Sequence, residues 1–324
     1  MKRPATALLL LACLAVGAAS SARAEGAWPN RPIRAIVPVA PGTGADTVFR
    51  LVFNQLSIQL GQQIVVENRG GAGGTIGGAA VAKAEPDGYT VLANSTAHTI
   101  APALHAMSYD VARDFAAVAS FGRTPTALVM APSKGIKTIQ GFVAAAKAKP
   151  AREAFTFASA GVGSTTHLTA ERFRLSAGFE AVHVPFKGGG FRSEVAAGRV
   201  DFAFSPIAVA VPEIRDGRLL ALAVSSRARV STLPEVPTTL EAGYPNSDYA
   251  LWLGVFVPVK TPRAIVDRLH QESVKALQTP ALREKLAGLD VEPMPMTPAE
   301  FDAFIRDDIV AQAALAKAAG LKAN

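Results

Sequence analysis

Four times the sequence returns to one unit: a short apolar run, a loop of glycine and small hydroxyl residues, then the start of a helix pattern. The unit occupies 41–46, 68–75, 158–165 and 186–192. It restricts the fold more than any other feature. A buried strand that turns tightly into a helix belongs to a parallel sheet with crossover helices. The first N–H groups of each helix lack intrahelical partners, and the helix dipole adds partial positive charge there, so such ends attract anions. Glycine allows close approach to the backbone, and Ser or Thr adds donors without bulk. One such loop is an ordinary connection. Four in one chain point to a cleft for a small carboxylate or phosphate.

The rest of the chain agrees with an α/β pattern. Strands are expected over 33–39, 63–67, 89–93, 126–130, 155–158, 181–185, 201–205, 219–225 and 251–257. Helices are expected over 46–60, 75–84, 138–147, 165–175 and 192–197. Three more follow at 262–278, 280–286 and 298–319, each with Pro in its first turn. A weak echo links 82–95 with 194–205, each running from a helix end through a glycine and a strand to Ser95 or Ser205. The expected architecture is therefore two similar lobes, each a mixed sheet flanked by helices. The first lobe takes 25–125 and the returning helices of 249–324, the second takes 126–248, and the crossings fall near 122–130 and 245–255.

The N-terminus reads as an export signal over 1–24. Lys2 and Arg3 precede an uncharged apolar run, and Ala22-Arg23-Ala24 is a cleavage site of the A-x-A kind. That run is shorter than the ~20 residues a spanning helix needs. Leu10-Leu11-Ala12-Cys13 has the form of a lipoprotein box, an alternative end for the signal, but the apolar run continues past Cys13 to the better site. Cleavage after Ala24 lowers the basic count from 33 to 30 against 26 acids, so the net charge falls from +7 to +4. The remaining 300 residues hold no cysteine, which removes a disulfide framework and a thiolate zinc site. They also hold no further apolar run of spanning length, and a chain of this size buries enough surface to fold without disulfides.

Several chemistries fail on spacing. The dinucleotide fingerprint G-x-G-x-x-G breaks at Gly42, Gly71 and Gly161, where Thr47, Ile76 and Thr166 occupy the last position, and no phosphate-binding loop ending in GK[ST] occurs. No nucleotide cofactor is expected. Phe157-Ala158-Ser159-Ala160-Gly161 resembles a nucleophile elbow without its leading glycine. An exported serine hydrolase using Ser159 or Ser164 with His167 is thus a remote alternative. The five histidines lack metal-ligand spacing, so no metal is expected. His98 follows a strand and falls where an open sheet has its cleft edge. Asp46 and Asp201 are the acids nearest the loops, and either contacts the ligand or orients its loop. The basic residues, Lys187 beside the triple glycine among them, are scattered and not interleaved with aromatics, so no nucleic acid is expected.

At the level of motifs the chain resembles the substrate-binding proteins of tripartite tricarboxylate transporters, the Bug family. The resemblance begins in VPVAPGTGAD (37–46) and continues in VVENRGGAGGTIGGAAVAKAEPDGYTVL (65–92), ASAGVGSTTHLTAERF (158–173) and HVPFKGGG (183–190). It extends through GRVDFAF (198–204), LPEVPTTLEAGYP (233–245) and TPAEFDAFIRDDI (297–309). It implies a monomeric periplasmic binding protein of two α/β lobes that close like a flytrap on a small organic acid, with no catalysis. The expected partners are membrane subunits of a tripartite transporter or, alternatively, a membrane sensor kinase. By position, Gly42, Thr43, Gly44, Ala45 and Asp46 hold a carboxylate from the first lobe, with Ser95, Thr96 and His98 on the same side. Ser159, Gly161, Ser164 and Thr165 hold it from the second lobe, and Asp201 and Ser205 tune the distal part of the ligand. Two positions depart from the family pattern: Thr43 stands where Gly is common, and Phe191 where Pro is usual.

Overall fold

The computed structural model describes residues 28–186 and 188–321. The export segment over 1–24, Cys13 and Lys187 lie outside them. The first lobe opens with β1 (Ile33–Val37), α1 (Gly44–Leu60), β2 (Ile64–Asn68), α2 (Thr75–Ala82), β3 (Thr90–Ser95) and α3 (Ala97–Leu104). A long strand, β4 (Phe115–Met130), leads into α4 (Ile139–Ala148), β5 (Phe155–Ser159), α5 (Thr165–Ala177), β6 (Ala181–Pro185) and α6 (Phe191–Ala196). Then come β7 (Phe202–Pro206), α7 (Ile207–Arg215) and β8 (Leu220–Val224). The chain returns through β9 (Ala250–Pro258) to α8 (Arg263–Gln278), α9 (Pro280–Ala287) and α10 (Pro298–Ala318).

All nine strands belong to one curled sheet in the order β2-β1-β3-β9-β4-β7-β5-β6, with β8 pairing β4 on the edge opposite β7. Its two halves repeat one plan. In each, three strands run parallel (β2-β1-β3 and β6-β5-β7), and an antiparallel strand joins their inner edge. The carboxyl ends of the parallel strands therefore point to one side in each half, and helices start there. This is where open α/β sheets bind ligands.

β4 serves both halves. Its residues 115–125 pair with β9, and 126–130 pair with β7 and β8. The strand begins at Phe115, well before the position expected from sequence. Two register shifts precede Gly122, and Pro125 sits at the change of partners, where a missing N–H is tolerated. The return crossing lies alongside. Ser225 Oγ accepts from Thr126 N (2.9 Å) and donates to Tyr249 O (2.6 Å), and all three residues are buried. The two crossing segments are thus tied to one hydroxyl.

Each half is a three-layer sandwich. In the first lobe α1 presents Val48, Phe49, Val52, Phe53 and Leu56 to the sheet, at the spacing of a helical apolar face. Phe49, Phe53 and Phe121 pack there with ring centroids 5.8–6.3 Å apart. The opposite face is covered by α10, whose Phe301 and Ile305 pack with Phe256, Leu92 and Ile36. In the second lobe Phe142, Phe157, Phe173, Phe202 and Phe204 fill one face, and Phe191, Val195 and Ile207 the other. A smaller cluster joins the lobes: Ile100 and Leu104 of α3, Leu168 of α5, and Leu315 and Ala316 of α10, with Tyr249.

Candidate functional site

A cavity of about 780 Å³ lies between the lobes. That size falls within the range of roughly 300–1,000 Å³ typical of small-molecule sites. The starts of α1, α2, α3, α5, α6 and α7 all contribute to its wall. Two of these starts are built alike. Gly42 (φ 75°) precedes the N-cap Thr43, and Gly163 (φ 74°) precedes the N-cap Ser164. Thr43 Oγ1 accepts from Asp46 N and donates to Ala40 O (3.0 Å). Ser164 Oγ accepts from His167 N (3.3 Å) and donates to Gly161 O (2.7 Å).

The residue three positions into each turn then reaches back to the glycine. Asp46 Oδ2 accepts from Gly42 N (2.9 Å), and His167 Nδ1 accepts from Gly163 N (3.1 Å). Asp46 is also gripped by Arg50 Nε (2.9 Å) and Asn68 Nδ2 (2.8 Å). Burial pushes its carboxyl pKa up, but the hydrogen bonds from Arg50, Asn68 and Gly42 and the charge of Arg50 outweigh burial and hold it below the ordinary value. His167 stacks on His183 with ring centroids 3.7 Å apart, and His183 Nε2 lies 2.6 Å from Ser159 Oγ. Burial lowers the pKa of His167 to about 3, helped by the charges of His183 and Arg174, and lowers that of His183 to about 4.

Of the residues expected from sequence, the structure brings Gly42, Thr43, Gly44, Ala45, Ser95, Thr96, Ser164 and Thr165 onto the cavity wall. Ser95 is only 4% exposed, and its hydroxyl has no hydrogen-bond partner among the described residues. Thr96 Oγ1 meets Thr165 Oγ1 at 3.2 Å, a direct polar contact between the lobes. Asp46, Ser159 and Gly161 stand behind the wall. Asp46 clamps the first turn, while Ser159 is fully buried and bonds Gly161 N and His183.

Three expectations are corrected. His98 points into the first lobe and not into the cavity: its ring packs on Phe115 and Phe256, and its Nδ1 lies 3.3 Å from Asn94 Nδ2. Burial lowers its pKa to about 3. Asp201 lies at the opposite end of its strand from the cavity. It precedes β7 and accepts from Lys134 Nζ (2.7 Å) and from Thr156 N and Oγ1 (2.9 and 3.0 Å) near the start of β5. Ser205 is buried in β7 against β4 and does not reach the wall.

Residues that sequence reasoning missed include Gly71, Gly73, Gly74, Thr166, Leu104 and the segment from Pro206 to Val209. The signal for the last was the β7–α7 junction, which repeats the β3–α3 junction one lobe over. The hydrolase alternative finds no support in the geometry. Ser164 Oγ bonds Gly161 O and Thr166 but not His167 Nδ1, which is occupied by Gly163 N. Among the described residues no cluster of His, Cys, Asp and Glu has the arrangement of a metal site.

Two lobes on a shared sheet, meeting at a cavity ringed by helix starts, define a two-lobed solute-binding protein. The chain belongs to the tripartite tricarboxylate transporter family receptors, whose family model matches residues 48–321. Bordetella pertussis protein BugT is 35% identical over 299 residues, covering 91% of each chain. Among solved structures, Rhodopseudomonas palustris Rpa4515 with adipate aligns with a TM-score of 0.81 at 30% identity over 92% of this chain and 100% of that one. MatC of the same organism with bound malate aligns with a TM-score of 0.77 at 30% identity over 89% and 99%. The family and these neighbours are solute-binding proteins, so the chain is a receptor and not an enzyme. Among the described residues no helix is long and apolar enough to cross a membrane.

Proposed function

We propose that this protein is a periplasmic receptor that captures a small organic acid between its lobes and presents the closed form to the membrane subunits of a tripartite transporter. The observation that carries this reading is the cavity itself. Helix starts from opposed lobes meet there, with the unpartnered hydroxyl of Ser95 and the Thr96–Thr165 contact at their junction. N–H groups and hydroxyls fixed in place suit a carboxylate better than water does, because they need no reorganisation on binding. The adipate and malate bound by the two structural neighbours support the carboxylate class.

In this reading residues 1–24 direct export, 25–125 and 249–324 form the first lobe, and 126–248 form the second. The lobes close about the crossings tied by Ser225, and the receptor acts as a monomer. Gly42, Thr43, Gly44, Ala45, Ser95 and Thr96 face the ligand from one side, and Ser164 and Thr165 from the other. Asp46, Ser159 and Gly161 shape the turns that present them. Isothermal titration against a panel of mono-, di- and tricarboxylates tests it, with small-angle scattering to follow closure. Binding of at least one acid, a smaller radius of gyration when bound, and a tenfold or greater loss in Ser95→Ala are expected. Absence of any acid ligand would falsify the reading.

A further inference from the structure

The cavity wall combines hydroxyls and loop backbone with uncovered apolar side chains and little side-chain charge among the described residues, and this bears on the class of acid it accepts. Ser95, Thr96, Ser164 and Thr165 supply hydroxyls where the lobes meet, and Thr43, Thr124, Thr166 and His105 add further polar groups. Two valines of the second lobe stand uncovered on the same wall: Val162, 57% exposed in the loop between Gly161 and Gly163, and Val209, 38% exposed on the first turn of α7. Ile100, Leu104 and Leu253 continue the apolar surface on the first lobe. Uncovered valines inside a cavity of this size are apolar surface awaiting a partner.

Charge is sparse. Arg192 is the only Arg, Lys, Asp or Glu on the wall among the described residues, and Glu213 neutralises it through a hydrogen bond of 3.0 Å between partly buried groups. A second carboxylate that met the uncovered valines would lose its water without gaining a cation, since the one Arg on the described wall is already paired with Glu213. Placing a charge against an apolar wall costs far more than one hydrogen bond returns.

We infer that the receptor selects acids with a single carboxylate on an apolar body, of the aromatic or branched-alkyl kind, over compact di- and tricarboxylates, and that Val162 and Val209 are the residues that set this preference. The inference rests on the carboxylate reading above. The carboxylate docks at Ser95, and the apolar body covers the two valines as the lobes close.

Calorimetry on the full mature chain, with benzoate and cyclohexanecarboxylate set against malate and citrate, tests the preference. The apolar acids should bind at least tenfold more tightly than malate or citrate. Val162→Ser and Val209→Ser should each cut the ratio of benzoate to malate affinity threefold to tenfold, because both side chains are uncovered and removable without opening a core. Ser95→Ala should instead weaken all acids by a similar factor. Tighter binding of malate or citrate than of benzoate, or an unchanged ratio in both valine variants, overturns the inference while leaving the carboxylate reading intact. Failure of every acid to bind overturns that reading, and the inference with it.

Discussion

The turn before α1 and the turn before α5 share one backbone solution and differ in the group that secures it. Both place a left-handed glycine before an N-cap hydroxyl, and both return that hydroxyl's proton to the carbonyl three residues earlier. In the first lobe the acceptor of the glycine amide is Asp46, an ionised carboxylate held by Arg50 and Asn68. In the second it is His167, a neutral imidazole stacked on another. A carboxylate near a helix start gains from the dipole, and its charge is met by the adjoining Arg50. A neutral imidazole leaves the field of the α5 start uncompensated and available to an anionic ligand. The lesson is that one lobe spends part of its local positive potential on its own brace and the other keeps it for the cavity.

Removing the carboxylate tests the first brace most severely. Asp46→Ala strands Gly42 N and takes one acceptor from Asn68, the carboxylate itself being buried while Gly42 and Arg50 reach solvent. A loss of about 2 kcal/mol in urea unfolding is expected, the scale for charge-assisted hydrogen bonds at a partly buried site. His167→Asn keeps an acceptor in the turn and should cost less. Equal losses in the two variants would show that the braces are interchangeable.

Acidification separates the braces by the pH window in which each weakens. His167 titrates near pH 6.5 when unfolded and at about 3 in the native state, so its contribution is whole above pH 6.5 and shrinks as the pH falls toward 3. By pH 5 the loss is about 2 kcal/mol. Half-buried His183 changes in the same direction, moderated by solvent. Asp46 changes in the same direction but at lower pH: its lowered pKa gives stability that persists above about 3.9 and is lost only below that value. His98, buried in the first lobe, adds a global loss similar to that of His167, so the readout must be local. Between pH 7 and 5, hydrogen-exchange protection of the Gly163 amide should fall while that of Gly42 holds. Parallel loss at both glycines would break the distinction.

The turns were legible in sequence because their chemistry is local. Gly, Thr or Ser and a side-chain acceptor lie within a few residues, and the hydrogen bonds that join them depend on little else. The α/β alternation and the repeat between halves were legible for a similar reason, since each strand and helix carries its own period. What sequence could not supply was direction and distance. His98 was placed correctly at a strand end, but the phase of the short helix α3, interrupted by Pro102, turns its ring into the core. Asp201 was expected at the ligand, yet its partner Lys134 comes from before α4, and Thr156 from a neighbouring strand brings the remaining bonds. That Val162 and Val209 share one cavity wall depends on how distant segments are brought together, which no single segment encodes.

The next break is steric. Gly163 holds φ 74° and lies against Leu104 of the opposite lobe, so that a Cβ there would collide with the leucine side chain. Gly42 has the same φ, but a Cβ there meets nothing. Ala at either position carries the left-handed penalty of about 1 kcal/mol. Only Gly163→Ala also obstructs the approach of the lobes, so its ligand affinity should fall about tenfold while Gly42→Ala falls much less. Matching affinities in the two variants would mean that the Gly163–Leu104 contact plays no part in closure.

The smallest expected difference lies in the caps themselves. The Thr43 cap is exposed and long, 3.4 Å from Oγ1 to Asp46 N. Its loss in Thr43→Ala should cost about 0.5 kcal/mol, the low end for a cap. Ser164 is partly buried, and its hydroxyl also bonds Gly161 O and Thr166 Oγ1, so Ser164→Ala removes a small network and should cost about 1.5 kcal/mol. The chemistry of the hydroxyls is equal, so any difference reports burial and the number of partners. Thr43→Ser sharpens the reading, because it keeps the cap and deletes only a methyl. If Thr43→Ser and Thr43→Ala weaken ligand binding alike, then the methyl contacts the ligand, and the contribution of position 43 to the cavity is apolar despite its hydroxyl.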